Sequence, residues 1–332
     1  MKRAGISIPT LPGNWMRERS KVQRAAFVVA GLLVAVVACE AVLRLGLGLG
    51  NPIQIEPDPA CSYILKPDQD VVRFFVHTHI NHYGMRSDDL PAQRAAGALR
   101  LLFVGDSVTY GSTRVDQRDI FTEVLHRDLP AIVHRPVEVL NASAGAWAPD
   151  NELAYLRSRG IFQSDLVLLV LNDGDLSQPR STIAQVGDEL PQRRPATAIG
   201  ELLQRYIRPR ILHLAGKQDS GDSADANASE VVRENIADLD AMDQLVTAQG
   251  ARMLLVFIPF RKGMPSAGMA SQAMLTQWCG AHGVGMFDLT AAESPYTAEQ
   301  ISLDHGIHLN AMGHRIVAEA IEREWPQLVG DR

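Results

Sequence analysis

Gly105-Asp106-Ser107 follows directly on the apolar run Leu99-Arg100-Leu101-Leu102-Phe103-Val104. A strand that ends in a tight glycine turn can hold a serine hydroxyl out of the fold at its carboxyl end. Such a hydroxyl attacks a carbonyl only when a base takes its proton. The best base lies late in the chain, in Asp304-His305-Gly306-Ile307-His308-Leu309-Asn310, with His308 on the loop that leads into the last helix. A tetrahedral oxyanion needs fixed donors aimed at it. The backbone N–H of Ser107, a backbone N–H of the loop at Gly145 and the side chain of Asn172 are the natural set.

These residues are far apart in sequence, so the fold must bring them together. Short apolar runs rich in Val, Leu and Ile occur at Leu99–Val104, Val137–Asn141, Leu166–Leu171, Met253–Ile258 and Val284–Leu289. Runs of this kind predict strands buried on both faces of a parallel sheet. Helical patterns alternate with them. One begins at Ser229, which can cap it, carries Val232, Ile236, Leu239 and Leu245-Val246 on one face, and stops at Gly250. The last starts near Asn310, turns Ile316, Val317, Ala320 and Ile321 inward, and is expected to end at Pro326. Alternating strands and helices predict a doubly wound α/β sandwich, with its site at the carboxyl ends of the strands. Ser107, Gly145 and Asn172 follow the first, second and third strands and so share that rim.

Residues 174–228 form a long insertion, with a helix expected over 201–214, broken at Pro209, and a polar, acidic stretch from Gly216 to Asp225. It reads as decoration of the fold or as a lid at the catalytic rim. His77, His79 and His82 alternate as on a half-exposed strand; no cysteine or acid cluster joins them to make a metal site.

The chain has 332 residues, 46% of them hydrophobic, enough for one large domain with an appendage. Its formal net charge of −6 argues against a nucleic-acid binder, which would carry a basic patch. Cys39, Cys61 and Cys279 are too few for a disulfide framework. A Cys61–Cys279 bridge could form in an oxidising compartment; two unpaired buried thiols are the alternative.

Residues 1–24 form a basic leader with Lys2, Arg3, Arg17, Arg19, Lys21 and Arg24 against Glu18. Residues 25–47 are apolar enough for a helix that spans the ~30 Å hydrocarbon layer, with Glu40 able to pair with Arg44 one turn on. The basic flank predicts a cytoplasmic N-terminus and an exported domain. A cleaved signal peptide and a lipoprotein signal at Val36-Val37-Ala38-Cys39 are competing readings. All three place the rest of the chain outside the cytoplasmic membrane. Residues 48–98, with Pro52, Pro57, Pro59 and Pro67, are expected to be a stalk that packs partly on a main domain of residues 99–330.

Four blocks occur in order: Gly105-Asp106-Ser107, Asn141-Ala142-Ser143-Ala144-Gly145, Leu171-Asn172-Asp173 and His308-Leu309-Asn310. Together they resemble the blocks of the SGNH/GDSL hydrolase superfamily over about residues 99–325. The resemblance implies a flavodoxin-like three-layer α/β/α fold with a parallel sheet, serine esterase or acyl-transfer chemistry, and no metal or other cofactor. It implies Ser107 as nucleophile and first oxyanion donor, Gly145 and Asn172 as further donors, and His308 as base. The N-terminal anchor followed by Asn81-His82-Tyr83-Gly84-Met85-Arg86 is similar to exported, membrane-tethered members.

The chain departs from the family pattern in three places. The usual acid three residues before the histidine is His305 here, and Asp304 lies one residue earlier. Asp304 is expected to reach His308 across a widened loop and complete a triad; otherwise a Ser-His dyad works with a backbone carbonyl or Asp288. The glycine of the second block falls on Ala146, one residue after Gly145, so the donor register is open. Val170 replaces a glycine of the third block, with consequences expected for packing only. The leading expectation is a membrane-anchored serine esterase acting on acyl esters, with cell-envelope or extracellular carbohydrate as substrate class. An O-acyltransferase to a sugar hydroxyl and a tethered binding module with a decayed site are the alternatives.

Overall fold

The computed structural model describes residues 14–91, 94–186, 191–214, 228–259, 268–303, 306 and 308–330. Helix α1 (Asn14–Leu47) leads into two antiparallel hairpins, β1 (Ile55–Asp58) with β2 (Ser62–Leu65) and β3 (Gln69–Arg73) with β4 (Val76–Ile80). The five apolar runs then form one parallel sheet: β5 (Leu99–Gly105), β6 (Val137–Ser143), β7 (Leu166–Asn172), β8 (Arg252–Ile258) and β9 (Gly285–Asp288). Their spatial order is β6-β5-β7-β8-β9. Counted among themselves this is 2-1-3-4-5, the flavodoxin-like order, whose switch point lies between the first and third strands.

Every residue of β5 and β7 is buried, because helices cover both faces. Leu102, Val104, Leu140, Leu169 and Leu255 face α4 (Pro149–Arg159) and later helices on one side. Leu101, Phe103, Val139, Leu168 and Val256 face α3 (Phe121–Val133) on the other, after the short α2 (Ser107–Tyr110). The period-2 alternation of strand side chains thus feeds two separate cores.

The insertion contributes α5 (Ile183–Val186), α6 (Ala198–Glu201), a π-helical stretch over Leu202–Ile207 and α7 (Arg208–Leu214). The helix expected to break at Pro209 continues through it. Pro209 has no N–H to offer the preceding turn, and the chain ahead widens so that Arg208 N–H reaches Leu203 O. The remaining helices are α8 (Ala228–Ala248), α9 (Gly268–His282), α10 (Thr290–Glu293), α11 (Ala298–Ile301) and α12 (Ala311–Leu328). Asn310 caps α12 by accepting from Gly313 N–H at 3.0 Å. The helix runs past Pro326 to Leu328, so the proline removes one bond near the end without stopping the helix. Cys61 and Cys279 are buried free thiols, not a disulfide.

Residues 48–98 are woven into the first core: Ile53, Tyr63, Leu65, Ile80 and Met85 pack in the same cluster as Leu102 and Leu140. The polar tie is Arg86, which is fully buried. Its guanidinium donates to Tyr110 O at 2.8 Å, Ser112 O at 2.7 Å, Val115 O at 2.6 Å and Gln117 Oε1 at 3.1 Å. The last carbonyl of α2 and two of the loop behind it therefore depend on one side chain. Burial pushes the guanidinium pKa down from its ordinary value. Replacing it with Met strands those carbonyls, each at ~1–3 kcal/mol. Urea unfolding of Arg86→Met should show a loss on the order of 3 kcal/mol, and Arg86→Lys should recover part of it. An unchanged midpoint for Arg86→Met would remove Arg86 as the tie.

Candidate active site

Gly105 ends β5 where no side chain fits. A Cβ there would stand 2.2 Å from Thr109 Oγ1 and 3.0 Å from Val170 O. Asp106 caps the helix that follows, its Oδ1 accepting from Val108 N–H at 2.8 Å. Ser107 is the first residue of α2, and Gly111 closes the helix at φ +82°. The hydroxyl is thereby placed at the carboxyl end of the strand.

Strand register aligns the other groups. Gly105 pairs with Ser143, so Ser107 and Gly145 each lie two residues beyond the paired positions. Val104 pairs with Leu169, which puts Ser107 and Asn172 three residues beyond theirs. The imidazole arrives from the loop before α12. Ser302 and Leu309 form an isolated antiparallel bridge, and Leu303 N–H donates to His308 O at 2.8 Å. That pinch brings His308 Nε2 to 3.0 Å from Ser107 Oγ. Asp304 lies outside the described residues. Asp288 accepts from Thr290 N–H at 3.0 Å and from Gln272 Nε2 at 2.6 Å.

Asn172 is held by its neighbours on both sides of its amide. Its Oδ1 accepts from Gly174 N–H at 2.8 Å. Its Nδ2 donates to Asp175 Oδ1 at 2.8 Å and to Asp106 Oδ2 at 3.3 Å. Asp175 Oδ2 also accepts from Asn172 N–H at 2.7 Å. The Gly145 loop is fixed from outside the sheet. Tyr63 Oη donates to Gly145 O at 2.7 Å and Gln178 Nε2 to Ala146 O at 2.7 Å. Because the peptide is planar and trans, the Tyr63 bond turns the Ala146 N–H to the opposite side. Ala146 itself has φ +62°.

Asp106, Glu152 and Asp175 are buried carboxyls behind this rim. Burial raises the pKa of Asp175 well above the ordinary value, and the nearby Asp106 and Glu152 add to it. Burial, then Asp106, do the same to Glu152. Asp106 is raised by burial, against the pull of His308. Asp175 lies three residues after Asn172 in Asn172-Asp173-Gly174-Asp175, a spacing visible in the sequence; Glu152 on α4 and Tyr63 in β2 carry no comparable signal.

No family model matches the chain, and no curated protein matches it. Sixty-two solved chains match in structure. One is a lipase/acylhydrolase from Enterococcus faecalis, 15% identical, over 68% of this chain and 94% of that one, with a TM-score of 0.43. TesA is 17% identical over 70% of this chain and 99% of its own, with a TM-score of 0.45. A variant of the acetyl-xylooligosaccharide esterase Axe2 from Geobacillus stearmophilus is 16% identical over 68% and 93%, with a TM-score of 0.44.

His314 lies behind the helix that carries Ser107, where a Cβ on the closing Gly111 would stand 3.2 Å from its ring. It is buried, stacks on Phe121 at 5.8 Å and accepts from Phe121 N–H at 3.3 Å through Nδ1. Burial, with the charge of Arg86, pushes its pKa down from 6.5 to about 3. Between those values the unfolded chain binds the proton and the native chain does not, so this residue costs stability as the pH falls from 6.5 toward 3. The raised carboxyls act with opposite sign, favouring the fold on the acid side of their native pKa values. Thermal midpoints measured from neutral pH downward should fall more steeply for wild type than for His314→Phe, whatever the variant's stability at neutral pH. Parallel slopes would show that His314 does not set the acid limb.

Proposed function

We propose that the chain is a serine esterase of the SGNH/GDSL type, held at the membrane by α1 and acting on acyl esters outside the cytoplasm. The observation that carries this reading is the 3.0 Å contact between Ser107 Oγ and His308 Nε2 at the switch point of the sheet. At that distance the imidazole can accept the hydroxyl proton as Oγ bonds to the ester carbonyl carbon. The proton then passes from Nε2 to the leaving alcohol as the ester C–O bond breaks, which leaves Ser107 acylated. Water repeats the sequence, giving its proton to His308 and releasing the acid. In this reading Asp304 orients the imidazole and stabilises its charged form.

The negative charge on the carbonyl oxygen falls to the N–H of Ser107, to the Gly145–Ala146 loop and to Asn172. The long Asn172 bond to Asp106 is the one that an oxyanion displaces, while the 2.8 Å bond to Asp175 keeps the amide in place. The orientation that Tyr63 imposes favours Ala146 N–H as the second-block donor. The substrate class, O-acyl groups on envelope or extracellular carbohydrate, rests on compartment and family analogy. Helix α1 is apolar over Ser20–Leu47, a span long enough to cross a membrane. A signal sequence passes the same test, but here Glu40 and Arg44 are bonded to the insertion, which supports retention of the helix.

Purified full-length chain in detergent should hydrolyse p-nitrophenyl acetate. Ser107→Ala should lose roughly 10⁴-fold or more in turnover, and Asp304→Ala roughly 10²-fold or more in kcat with KM nearly unchanged. Equal rates for wild type and Ser107→Ala would favour a tethered binding module. Acyl sugar formed in place of free acid when a sugar acceptor is added would make the chain a transferase. Wild-type turnover in Asp304→Ala would leave a Ser-His dyad.

A further inference from the structure

The end of α1 is built into the domain. Glu40 accepts from the backbone N–H groups of Ala198 at 2.8 Å and Ile199 at 3.0 Å, and from Arg44 Nε at 2.6 Å. Arg44 also donates to Ala196 O at 2.9 Å. One turn beyond, Phe74 N–H donates to Leu47 O at 2.9 Å. The buried pair Arg73–Glu201, at 2.6 Å, then joins the β3–β4 hairpin to the insertion helix. Leu43, Leu49 and Ala198 pack together beneath, with Leu202 and Tyr206 against them. The helix end, the hairpin turn and the insertion helix therefore form one unit.

That unit leaves apolar side chains uncovered. Arg73 pairs with Val76, so Phe74-Phe75 is a two-residue turn, and both residues have positive φ, +49° and +66°. Such turns favour Asn-Gly, and bulky side chains are disfavoured there. Phe75 is nevertheless 82% exposed. On the insertion helix Leu203, Ile207 and Ile211, spaced by four, are exposed too, Ile211 at 59%. Arg208 and Arg210, also exposed, adjoin Ile207 and Ile211 in the sequence.

We infer that this surface is a second membrane contact, in which Phe75 and the Leu203–Ile211 face enter the lipid interface and Arg208 and Arg210 meet anionic headgroups. The inference rests on the reading of α1 as a spanning helix. A hydrocarbon layer of ~30 Å takes about 20 residues of helix; counted from Ala25, it ends near Leu45. Leu45 is itself 89% exposed. The Phe74-Phe75 turn is bonded to Leu47, at that level. The N-terminus of α6 is bonded to Glu40, below it. The turn is thus carried to the interface by a hydrogen bond to the spanning helix, and the insertion helix follows through Leu202 and Tyr206, which pack against Leu43 and Leu49. An exposed apolar face with basic residues beside it suits that position. The same hairpin is tied to the nucleophile's loop, since His77 N–H donates to Asp116 Oδ2 at 3.0 Å. The contact would hold the site at a set distance from the bilayer.

The test uses the full chain carrying Trp15→Phe, in nanodiscs of phosphatidylglycerol and phosphatidylethanolamine with or without brominated acyl chains. Tryptophan is introduced singly by Phe75→Trp, Ile211→Trp or, as control, Gln249→Trp, which lies just before β8 at the amino-terminal edge of the sheet. Bromine should quench the emission at positions 75 and 211 and leave position 249 unchanged. Intact mass is measured first. A mature chain that begins beyond residue 24 overturns the spanning reading and this inference with it, while leaving the esterase reading to its own assay. A retained α1 with no quenching at 75 or 211 overturns this inference alone, and assigns the apolar face to a second copy or another protein.

Discussion

A hydroxyl and an imidazole 201 residues apart meet at 3.0 Å because each is placed by something rigid beneath it. Ser107 sits where a fully buried strand meets a glycine that has no room for a side chain. His308 sits on a loop pinched by the Ser302–Leu309 bridge ahead of α12. Parallel register fixes the rest, since two strands paired along their length deliver the residues just beyond their ends to the same height. The strand order then puts Ser107 and Asn172 on either side of the switch point, where the crossovers diverge and leave a crevice.

Behind this rim the structure buries a cluster of polar groups. Asn172 is gripped by Asp175 and Asp106, with Glu152 contributing to the same field. Burial and mutual repulsion both disfavour the charged form of these carboxyls, raising their pKa values. The cluster forms a buried, hydrogen-bonded support for the Asn172 amide. Arg86 works similarly on the other side, satisfying carbonyls that a loop cannot pair by itself. Glu152 and Arg86 thus join the support of the site from outside the four sequence blocks.

Much of the site was legible because burial on two faces leaves a plain trace. The five strands appear as continuous apolar runs, and Ser107, Asn172 and the Gly145 loop appear at their carboxyl ends. Proline is the exception, since its missing N–H and fixed φ predict a helix break that a chain can also accommodate. Pro209 and Pro326 are both accommodated, one by a widened turn ahead of it and the other close to a helix end where few bonds remain. Residues 48–98, expected as a stalk that packs partly on the main domain, place Ile53, Tyr63, Leu65, Ile80 and Met85 in the core. Proline-rich sequence says little about which side chains become buried, and Tyr63 and Arg86 acquire their partners only across 82 and 24 or more residues of chain.

The order of elements, the class of fold and the chemical character of Ser107, His308 and Asn172 are properties of local sequence, since periodicity, turn residues and side-chain type are all local. How the Gly145–Ala146 peptide is turned, what holds Asn172, and how α1 joins the insertion were decided by tertiary contacts. Each depends on a partner whose distance along the chain carries no information about its distance in space.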